Sequence, residues 1–473
     1  IPKRDWSSDV CSSDLDFLTY PAIGINCGIG EAAAGDDIVL STNWMPRYVQ
    51  PRIVPTDIKG VRTDFDSLGA DGFDPKELLT IVSRYREWID TERTTLDPTR
   101  GAASEEERQR ERERFRVDLG RYAREADRIE LGVKLLMASY AAYTANRSSK
   151  EAAPYRAWGY LNRTFAQVGK KRQITDWRLF QLAFILAHVP TIASRMPEFA
   201  KAPWFDPDFD EDTATLLYFP TGGGKSEAFF GLLVFNLFLD RLRGKLTGVT
   251  ALIRYPLRLL TLQQAQRLLS IIVVAEVLRR AERLGGAPFE IGFWVGRGNT
   301  PNSPNDARLE PVPRRSDAKY KDDTTTSDDY RVVNESFNKV PKCPVCGTPT
   351  GLRRIGPGKD AETGIFCFND ACDWNRKTDK SQLPLLIVDR DIYAHAPAIL
   401  LGVIDKLALI GQYPATINRV MGMFGAARWR GMSTGHLVLP SLKDLKEGPA
   451  AHDCEPIAPA YRDGVEVFHD PFP

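Results

Sequence analysis

Residues 216–226 read LLYFPTGGGKS, and this stretch decides the fold. The apolar run at 216–219 predicts a buried strand, and a helical pattern follows the turn. The turn holds three successive glycines, which let backbone N–H groups face a phosphate: Gly222, Gly223 and Gly224. Lys225 supplies a cation for the β- and γ-phosphates, Ser226 supplies a hydroxyl for Mg²⁺, and the helix points its positive end at the anion. The stretch therefore predicts a nucleoside triphosphate site.

A departure from the general phosphate-binding loop narrows the class of protein. That loop has a glycine five residues before its last glycine, and Phe219 stands there. Residues 220–226, PTGGGKS, resemble instead the PTGxGK[ST] motif of superfamily 2 helicases, whose first position need not be glycine. The resemblance implies that Thr221 helps to hold ATP. The alternative is a glycine-rich turn with a chance lysine, but the strand and helix patterns around it favour the nucleotide site.

A second segment strengthens this interpretation. Residues 249–253, VTALI, form a short and mainly apolar run, which predicts a buried strand of a parallel sheet. In superfamily 2 helicases the strand after the loop helix ends in a motif that touches the nucleic-acid backbone. By this resemblance Arg254 and Arg258 would pair with phosphates. The alternative is that both arginines are ordinary solvated residues.

Three segments together are similar to the large helicase subunit of the DISARM phage-defence systems: residues 177–186, 219–232 and 253–268. The resemblance covers about residues 177–409. It implies a RecA-like lobe, ATP-dependent action on DNA, and other defence-system subunits as partners. It also places Gln181 where such helicases carry a residue that reads the adenine edge, although a buried glutamine has many structural uses.

Helicases of this kind also need an acidic residue that holds Mg²⁺, and the sequence shows no clear candidate. The resemblance places it after residues 399–408, ILLGVIDKLA, and no apolar strand followed by Asp-Glu occurs there. Asp389, after the apolar run 385–388, is either a degenerate form of this acid or merely the end of another strand, and the resemblance favours the second. The sequence therefore predicts a fragment that stops before its catalytic acid and its second lobe.

Residues 5–15, DWSSDVCSSDL, resemble a translated sequencing adaptor, and we exclude residues 1–15 from the fold prediction. The alternative is a disordered leader rich in serine and aspartate. Cys11 therefore carries no information about redox chemistry.

Four of the seven cysteines predict a structural zinc ribbon. They form a CPVCG knuckle and a second, more widely spaced pair: Cys343, Cys346, Cys367 and Cys372. Such a set suits tetrahedral Zn²⁺, and its four sulfurs leave no open position for catalysis. Disulfides are the alternative, which a reducing cytoplasm disfavours.

Length, net charge and the distribution of apolar residues limit the possible classes of protein. The chain has 473 residues and a net charge of +1, so any nucleic-acid surface must be local. No apolar run reaches the ~18–20 residues that span a bilayer, which predicts a soluble, cytoplasmic protein without membrane contact.

The predicted fold is α/β, with four segments after the adaptor. A mostly α-helical accessory domain covers 16–170, and the first part of a RecA-like lobe covers 171–300. A flexible arm and the zinc ribbon form an insertion at 301–382, and the lobe continues over 383–473. In the accessory domain Ser104 is a predicted N-cap, followed by a helix with i,i+4 charge pairs.

The predicted function is an ATP-driven DNA helicase or translocase. One alternative is a nucleotide-binding scaffold that assembles with partners through its zinc ribbon. Another is an ATPase of a different P-loop class, which the RYPLRLLTLQQ segment argues against. Stimulation of ATP hydrolysis by DNA separates the helicase from the scaffold.

Overall fold

The structure is a computed structural model. It describes residues 27–35, 37–44, 58–93, 96–211, 214–217, 223–255, 258–295, 300–315, 327–358, 361–403, 406, 414–427, 429–438, 454–457, 461–462 and 466–467. The predicted adaptor, as well as Thr221 and Gly222, lies outside these residues. The chain divides into two compact units, Ile1–Val54 and Pro55–Pro473. In the first unit, β1 (Gly28–Ala34) and β2 (Asp37–Trp44) form an antiparallel hairpin.

The second unit begins with helices. Those before the glycine turn are α1 (Phe65–Leu68), α2 (Leu79–Trp88), α3 (Glu105–Ala145), α4 (Ala153–Arg172), α5 (Leu179–Ala193) and α6 (Pro207–Asp210). After the turn come α7 (Lys225–Arg243), α8 (Arg258–Ala281), α9 (Asp328–Phe337), α10 (Asp373–Lys377), α11 (Asp389–His395) and α12 (Pro414–Met421). None of these described helices has an apolar stretch long enough to cross a bilayer.

Helix α3 begins as predicted, because Ser104 Oγ accepts a hydrogen bond from the N–H of Glu107 at 3.1 Å. Its charge pairs differ from the prediction. The first half of the helix pairs mainly at i,i+3, as in Arg114–Glu111 and Arg121–Asp118, and not at i,i+4. Both spacings bring side chains to the same helix face, so sequence alone does not separate them.

Close helix packing joins the accessory helices to the helix after the turn. Helix α5 contacts both α3 and α7, and α4 contacts α7 and α8. A Cβ at Gly132 of α3 would lie 1.9 Å from the carbonyl oxygen of Leu186, so only glycine allows α3 and α5 to come this close. One continuous hydrophobic core extends from Phe65 to Val403.

The central sheet has four parallel strands in the order β3 (Ala251–Tyr255), β8 (Ile399–Val403), β4 (Ile291–Trp294) and β7 (Leu385–Leu386). A strand of the parallel sheet is present near the predicted position 249–253, but it runs over Ala251–Tyr255 and is partly exposed, not buried. Of the strand predicted at 216–219, residues 218 and 219 lie outside the described part. The described residues Leu216 and Leu217 have no strand pairing, and Leu216 is 84% exposed.

The ribbon between β4 and β7 consists of β5 (Thr350–Ile355) and β6 (Glu362–Cys367), paired antiparallel. The described part of the predicted arm is packed and not extended, since Leu309 and Val312 join the hydrophobic core. After β8, β9 (Trp429–Gly431) pairs with β10 (Cys454–Pro456), and β11 (Tyr461–Arg462) pairs with β12 (Glu466–Val467).

Candidate nucleotide-binding site and metal centre

The glycine turn leads directly into α7. Gly224 precedes the helix in the left-handed region, with φ 87° and ψ 27°. A Cβ at this position would also lie 2.8 Å from Nε2 of Gln181, so the turn requires glycine. Lys225 and Ser226 are the first residues of α7, where N–H groups have no helical acceptor. This end of α7 offers backbone donors and a positive dipole to an anion.

Two side chains at the start of α5 hold the glycine turn through its carbonyl oxygens. Arg178 Nη1 donates to the carbonyl oxygen of Gly223 at 2.6 Å, and Gln181 Nε2 donates to that of Gly224 at 2.8 Å. Gln181 Oε1 also accepts from the N–H of Arg178 at 2.9 Å. Both polar ends of Gln181 therefore contact backbone, and adenine reading by this residue stays a prediction. Because the two side chains bind carbonyl oxygens, they leave the turn's N–H groups for other acceptors.

An ion pair joins the helices that follow the two predicted motifs. Glu227, in the first turn of α7, pairs with Arg267 of α8. Arg267 also donates to Gln264 Oε1 at 3.2 Å. Both charged side chains are partly buried, which reduces the screening of their attraction by solvent. The contact fixes the start of α7 relative to the segment that carries the predicted nucleic-acid arginines.

The two predicted nucleic-acid arginines flank the end of β3. Arg254 is an exposed residue of the strand, one position before its last residue. Arg258 is the first residue of α8, and its side chain lies outside the described part. Strand β3 runs parallel to β8, with Arg254 opposite Gly402. The exposure of Arg254 leaves its guanidinium accessible to an anion at this edge of the sheet.

A buried charge cluster anchors the far end of α7. Asp240 is fully buried and accepts from Arg243 Nε at 2.8 Å and from Thr250 Oγ1 at 2.6 Å. Lys245 Nζ lies 3.3 Å from its second oxygen. Burial opposes ionisation of Asp240, but the charges of Arg243 and Lys245 and the Thr250 hydroxyl hold the pKa of its carboxyl below the usual range. Asp240 thereby ties α7 to the residue that precedes β3.

Asp389, the alternative magnesium acid, begins α11. One of its oxygens lies 2.5 Å from Lys406 Nζ, and the other has no hydrogen-bond partner among the residues that the structure describes. Burial raises the pKa of this carboxyl, although Lys406 opposes the shift. Lys406 therefore neutralises one carboxylate oxygen of Asp389 and ties it to the region after β8. Whether the other oxygen of Asp389 holds Mg²⁺ stays a prediction.

The four predicted zinc ligands converge in the ribbon. Their Sγ atoms all lie within 4.8 Å of one another: Cys343, Cys346, Cys367 and Cys372. The Cys343–Cys372 and Cys346–Cys367 separations are 3.8 and 3.5 Å, and none of the four forms a disulfide. Tetrahedral zinc with Zn–S bonds of about 2.3 Å places its sulfurs about 3.8 Å apart. The set fits a structural zinc ion, as predicted.

Local backbone positions these sulfurs. In the knuckle Gly347 has a φ of 76° and donates its N–H to the carbonyl oxygen of Cys343. Burial opposes ionisation of Cys346, but hydrogen bonds from Thr348 and from neighbouring thiols lower the pKa of its thiol to about 6. A thiol that ionises readily is a ready ligand, because metals bind the thiolate. Burial raises the pKa of the Cys343 thiol to about 11.

The residues that hold the glycine turn carry no recognisable signal in the sequence. Arg178 lies in the WRLFQ segment, but nothing in its spacing indicates a contact 45 residues further on. The partnership of Glu227 with Arg267 spans 40 residues and depends on how α7 packs against α8. Such pairs become visible only when the helices are placed.

Comparison with known proteins gives one informative relative. No protein-family model matches the chain. Over 251 residues the chain is 32% identical to the DISARM protein DrmA of Bacillus paralicheniformis. The match covers 50% of this chain and 20% of DrmA, so the chain spans about a fifth of that relative's length. Half of this chain is therefore related in sequence to a DISARM protein, DrmA.

Proposed function

We propose that this chain carries the ATP-binding part of a superfamily 2 DNA helicase or translocase that acts in phage defence. The observation that carries the proposal is the PTGGGKS turn at the start of α7, with Gly224 in the left-handed region and Lys225 next to it. The similarity to DrmA supports a role in defence. In this proposal residues 171–300 and 383–473 form a RecA-like lobe, with 16–170 as an accessory domain and the ribbon as an insertion.

The proposed nucleotide site uses the backbone and three side chains. The triphosphate lies against the N–H groups of Gly222, Gly223 and Gly224, and Thr221 completes the turn. Lys225 neutralises the β- and γ-phosphates, and Ser226 holds Mg²⁺. Charge neutralisation by these groups favours transfer of the γ-phosphoryl group to water. The acid that orients this water is not assigned.

The proposed DNA contact lies at the end of β3. Arg254 and Arg258 pair with backbone phosphates, which positions the strand without reading its sequence. The Glu227–Arg267 pair connects this segment to the ATP-binding helix. A movement of α7 on nucleotide binding would therefore reach the DNA-binding edge through α8. Other subunits of the defence system are proposed partners.

The test begins with nucleotide binding by the chain itself. Lys225→Ala should weaken ATP binding roughly 10- to 100-fold, because a charged hydrogen bond to phosphate contributes about 1.5–3 kcal/mol. Lys201→Ala, at an exposed lysine, is the matched control and should bind ATP as the parent does. Equal affinity in the parent and Lys225→Ala, measured by calorimetry, would remove the nucleotide site from the proposal.

The second test uses the intact protein that contains this chain. DNA should stimulate its ATP hydrolysis, and Arg254→Ala should reduce the slope of log affinity against log salt by about 1, as expected for one lost phosphate contact. Lack of stimulation by any single- or double-stranded nucleic acid would favour the scaffold, in which nucleotide binding serves assembly. The measurement is steady-state hydrolysis with and without nucleic acid.

A further inference from the structure

A cluster of two histidines and a carboxylate lies outside both sites described above. Glu362 is the first residue of β6, His395 is the last residue of α11, and His436 lies beyond β9. His395 Nε2 lies 3.2 Å from Glu362 Oε2, and His436 Nδ1 lies 3.2 Å from Glu362 Oε1. The three ligand atoms lie within 4.8 Å of one another. Each carboxylate oxygen thus faces a different imidazole nitrogen.

Each ring nitrogen of the buried histidine faces a carboxylate. The His395 side chain is 10% exposed, and its Nδ1 lies 3.0 Å from Glu290 Oε2. Its Nε2 lies 3.2 Å from Glu362 Oε2 but without the angular geometry of a hydrogen bond. A carboxylate on one histidine nitrogen fixes the ring and leaves the other nitrogen for a metal, an arrangement common at metal sites. Glu290 therefore orients His395 as a ligand.

We propose that Glu362, His395 and His436 bind a divalent transition-metal ion, with Zn²⁺ the best fit. Bonds of about 2.0–2.1 Å to tetrahedral zinc would place neighbouring nitrogen and oxygen ligands about 3.3–3.4 Å apart. Both observed nitrogen–oxygen separations are 3.2 Å, each to a different oxygen of Glu362. Two imidazoles and a carboxylate suit zinc and its neighbours better than Mg²⁺ or Ca²⁺, which take oxygen ligands. Three protein ligands leave a fourth position for water.

The position of the cluster gives this ion a structural consequence. Strand β6 carries Glu362 at its start and Cys367, a ligand of the ribbon zinc, at its end. Five residues of strand separate the two centres by roughly 17 Å. The N–H of Leu437 donates to the carbonyl oxygen of Ala394 at 2.7 Å, which places His436 beside α11. The ion would join the ribbon to α11 and to the segment after β9.

The alternative to a metal ion in this cluster is a proton on His395. Burial opposes the charged form of His395, but Glu290 and Glu362 raise the pKa of its imidazole to about 10. An imidazolium between two carboxylates satisfies both without a metal. The two arrangements differ in what they predict for metal content, so direct measurement separates them.

The experiment is metal analysis of the purified chain, with any affinity tag removed, by inductively coupled plasma mass spectrometry. We expect two zinc ions per chain, one in the ribbon and one in the cluster. His436→Gln should lower the content to one, as should Cys346→Ser. His188→Gln, at a histidine outside the cluster, is the control and should retain two. One zinc in the parent chain, or two in His436→Gln, would overturn the proposal.

A second measurement covers the case in which His436→Gln misfolds. With Co²⁺ in place of zinc, His436→Gln should keep the sulfur-to-cobalt charge-transfer bands of the ribbon and lose one cobalt equivalent. Glu290→Gln should weaken the second site about 10- to 100-fold without abolishing it, since Glu290 contacts a ligand and not the ion. A second cobalt that binds unchanged in both variants identifies adventitious surface binding, which refutes the assignment.

Discussion

The zinc ribbon and the glycine turn are both built on tight turns, but they depend on the rest of the chain to different degrees. In the ribbon four side chains from one hairpin region bring their sulfurs within 4.8 Å of one another. In the turn the donors are backbone N–H groups, and Arg178 and Gln181 hold the loop from another helix. The four sulfurs of the ribbon come from one short stretch of the chain, whereas the turn is shaped by contacts between α5 and α7.

This difference predicts which changes each site tolerates. A substitution in the ribbon should remove its metal but leave the turn's supporting contacts intact. A substitution in α5 or α7 should alter nucleotide binding and leave zinc content unchanged. The predictions below test this separation, beginning with the largest expected effect.

Cys343→Ser should cause the largest loss. Cys343 is buried, and its sulfur is one of four that would surround the ion. Structural zinc contributes on the order of 10 kcal/mol to small zinc domains, so the ribbon should unfold locally when the ion is lost. Zinc content should fall by one equivalent, and protease cleavage within 343–372 should increase. Cys27→Ser, in the other compact unit, is the control and should retain the parent's zinc.

The ribbon also shows which clusters of side chains can be predicted from sequence alone. The CPVCG knuckle and the second cysteine pair were sufficient to predict which four sulfurs converge, because all four lie within 30 residues of one another along the chain. The histidine cluster had no such signal, since His395 and His436 come from separate elements. Its geometry appears only after α11 and the segment beyond β9 are placed side by side.

Asp240→Asn should have the next largest effect, a loss of folding stability. The substitution leaves Arg243 and Lys245 buried beside a neutral side chain, and breaking a buried ion pair costs about 3–5 kcal/mol. Because Asp240 anchors α7, nucleotide affinity should fall while zinc content stays constant. Chemical denaturation measures the first effect. Asp118→Asn, at an exposed pair in α3, is the control, and a loss of stability equal to that of Asp240→Asn would contradict the role of the buried cluster.

The Asp240 pair also predicts a pH dependence. The pKa of this carboxyl is lower in the folded chain than in the unfolded chain, so its stabilisation is complete above about pH 4, the unfolded pKa. It is lost as the pH falls through the folded value. The difference in unfolding free energy between the parent and Asp240→Asn should therefore shrink below about pH 4. A difference that stays constant through this range would mean that the carboxylate charge does not stabilise the fold.

Gly224→Ala should have a moderate effect confined to the turn. The residue has a φ of 87°, and the added Cβ would lie 2.8 Å from Gln181 Nε2. Backbone strain of this kind costs about 1–3 kcal/mol. ATP affinity should fall roughly 5- to 160-fold with zinc content unchanged. Gly120→Ala is the matched control, because a Cβ there meets nothing within 4 Å, and it should leave ATP binding intact.

Sequence alone predicted one part of this region correctly, the glycine turn itself. Three successive glycines indicated a phosphate-binding turn, and the structure gives Gly224 the left-handed backbone that such a turn requires. The strand predicted at 216–219 shows no pairing at Leu216 and Leu217, its two described residues, and Leu216 is exposed. Strand formation depends on a neighbouring strand, and a four-residue apolar run does not specify one.

Gln181→Ala should have the smallest effect of the four substitutions and the most specific readout. The lost hydrogen bond to Gly224 should cost about 0.5–1.5 kcal/mol, because one net hydrogen bond contributes this much. If Gln181 only holds the turn, the affinities for ATP and GTP should fall by the same factor. If it also reads the adenine edge, ATP should lose more than GTP. Gln263→Ala, at an exposed position in α8, is the control for both nucleotides. A preference for ATP that survives Gln181→Ala would leave this residue with a purely structural role, and the contacts between α5 and α7 would then account for its burial.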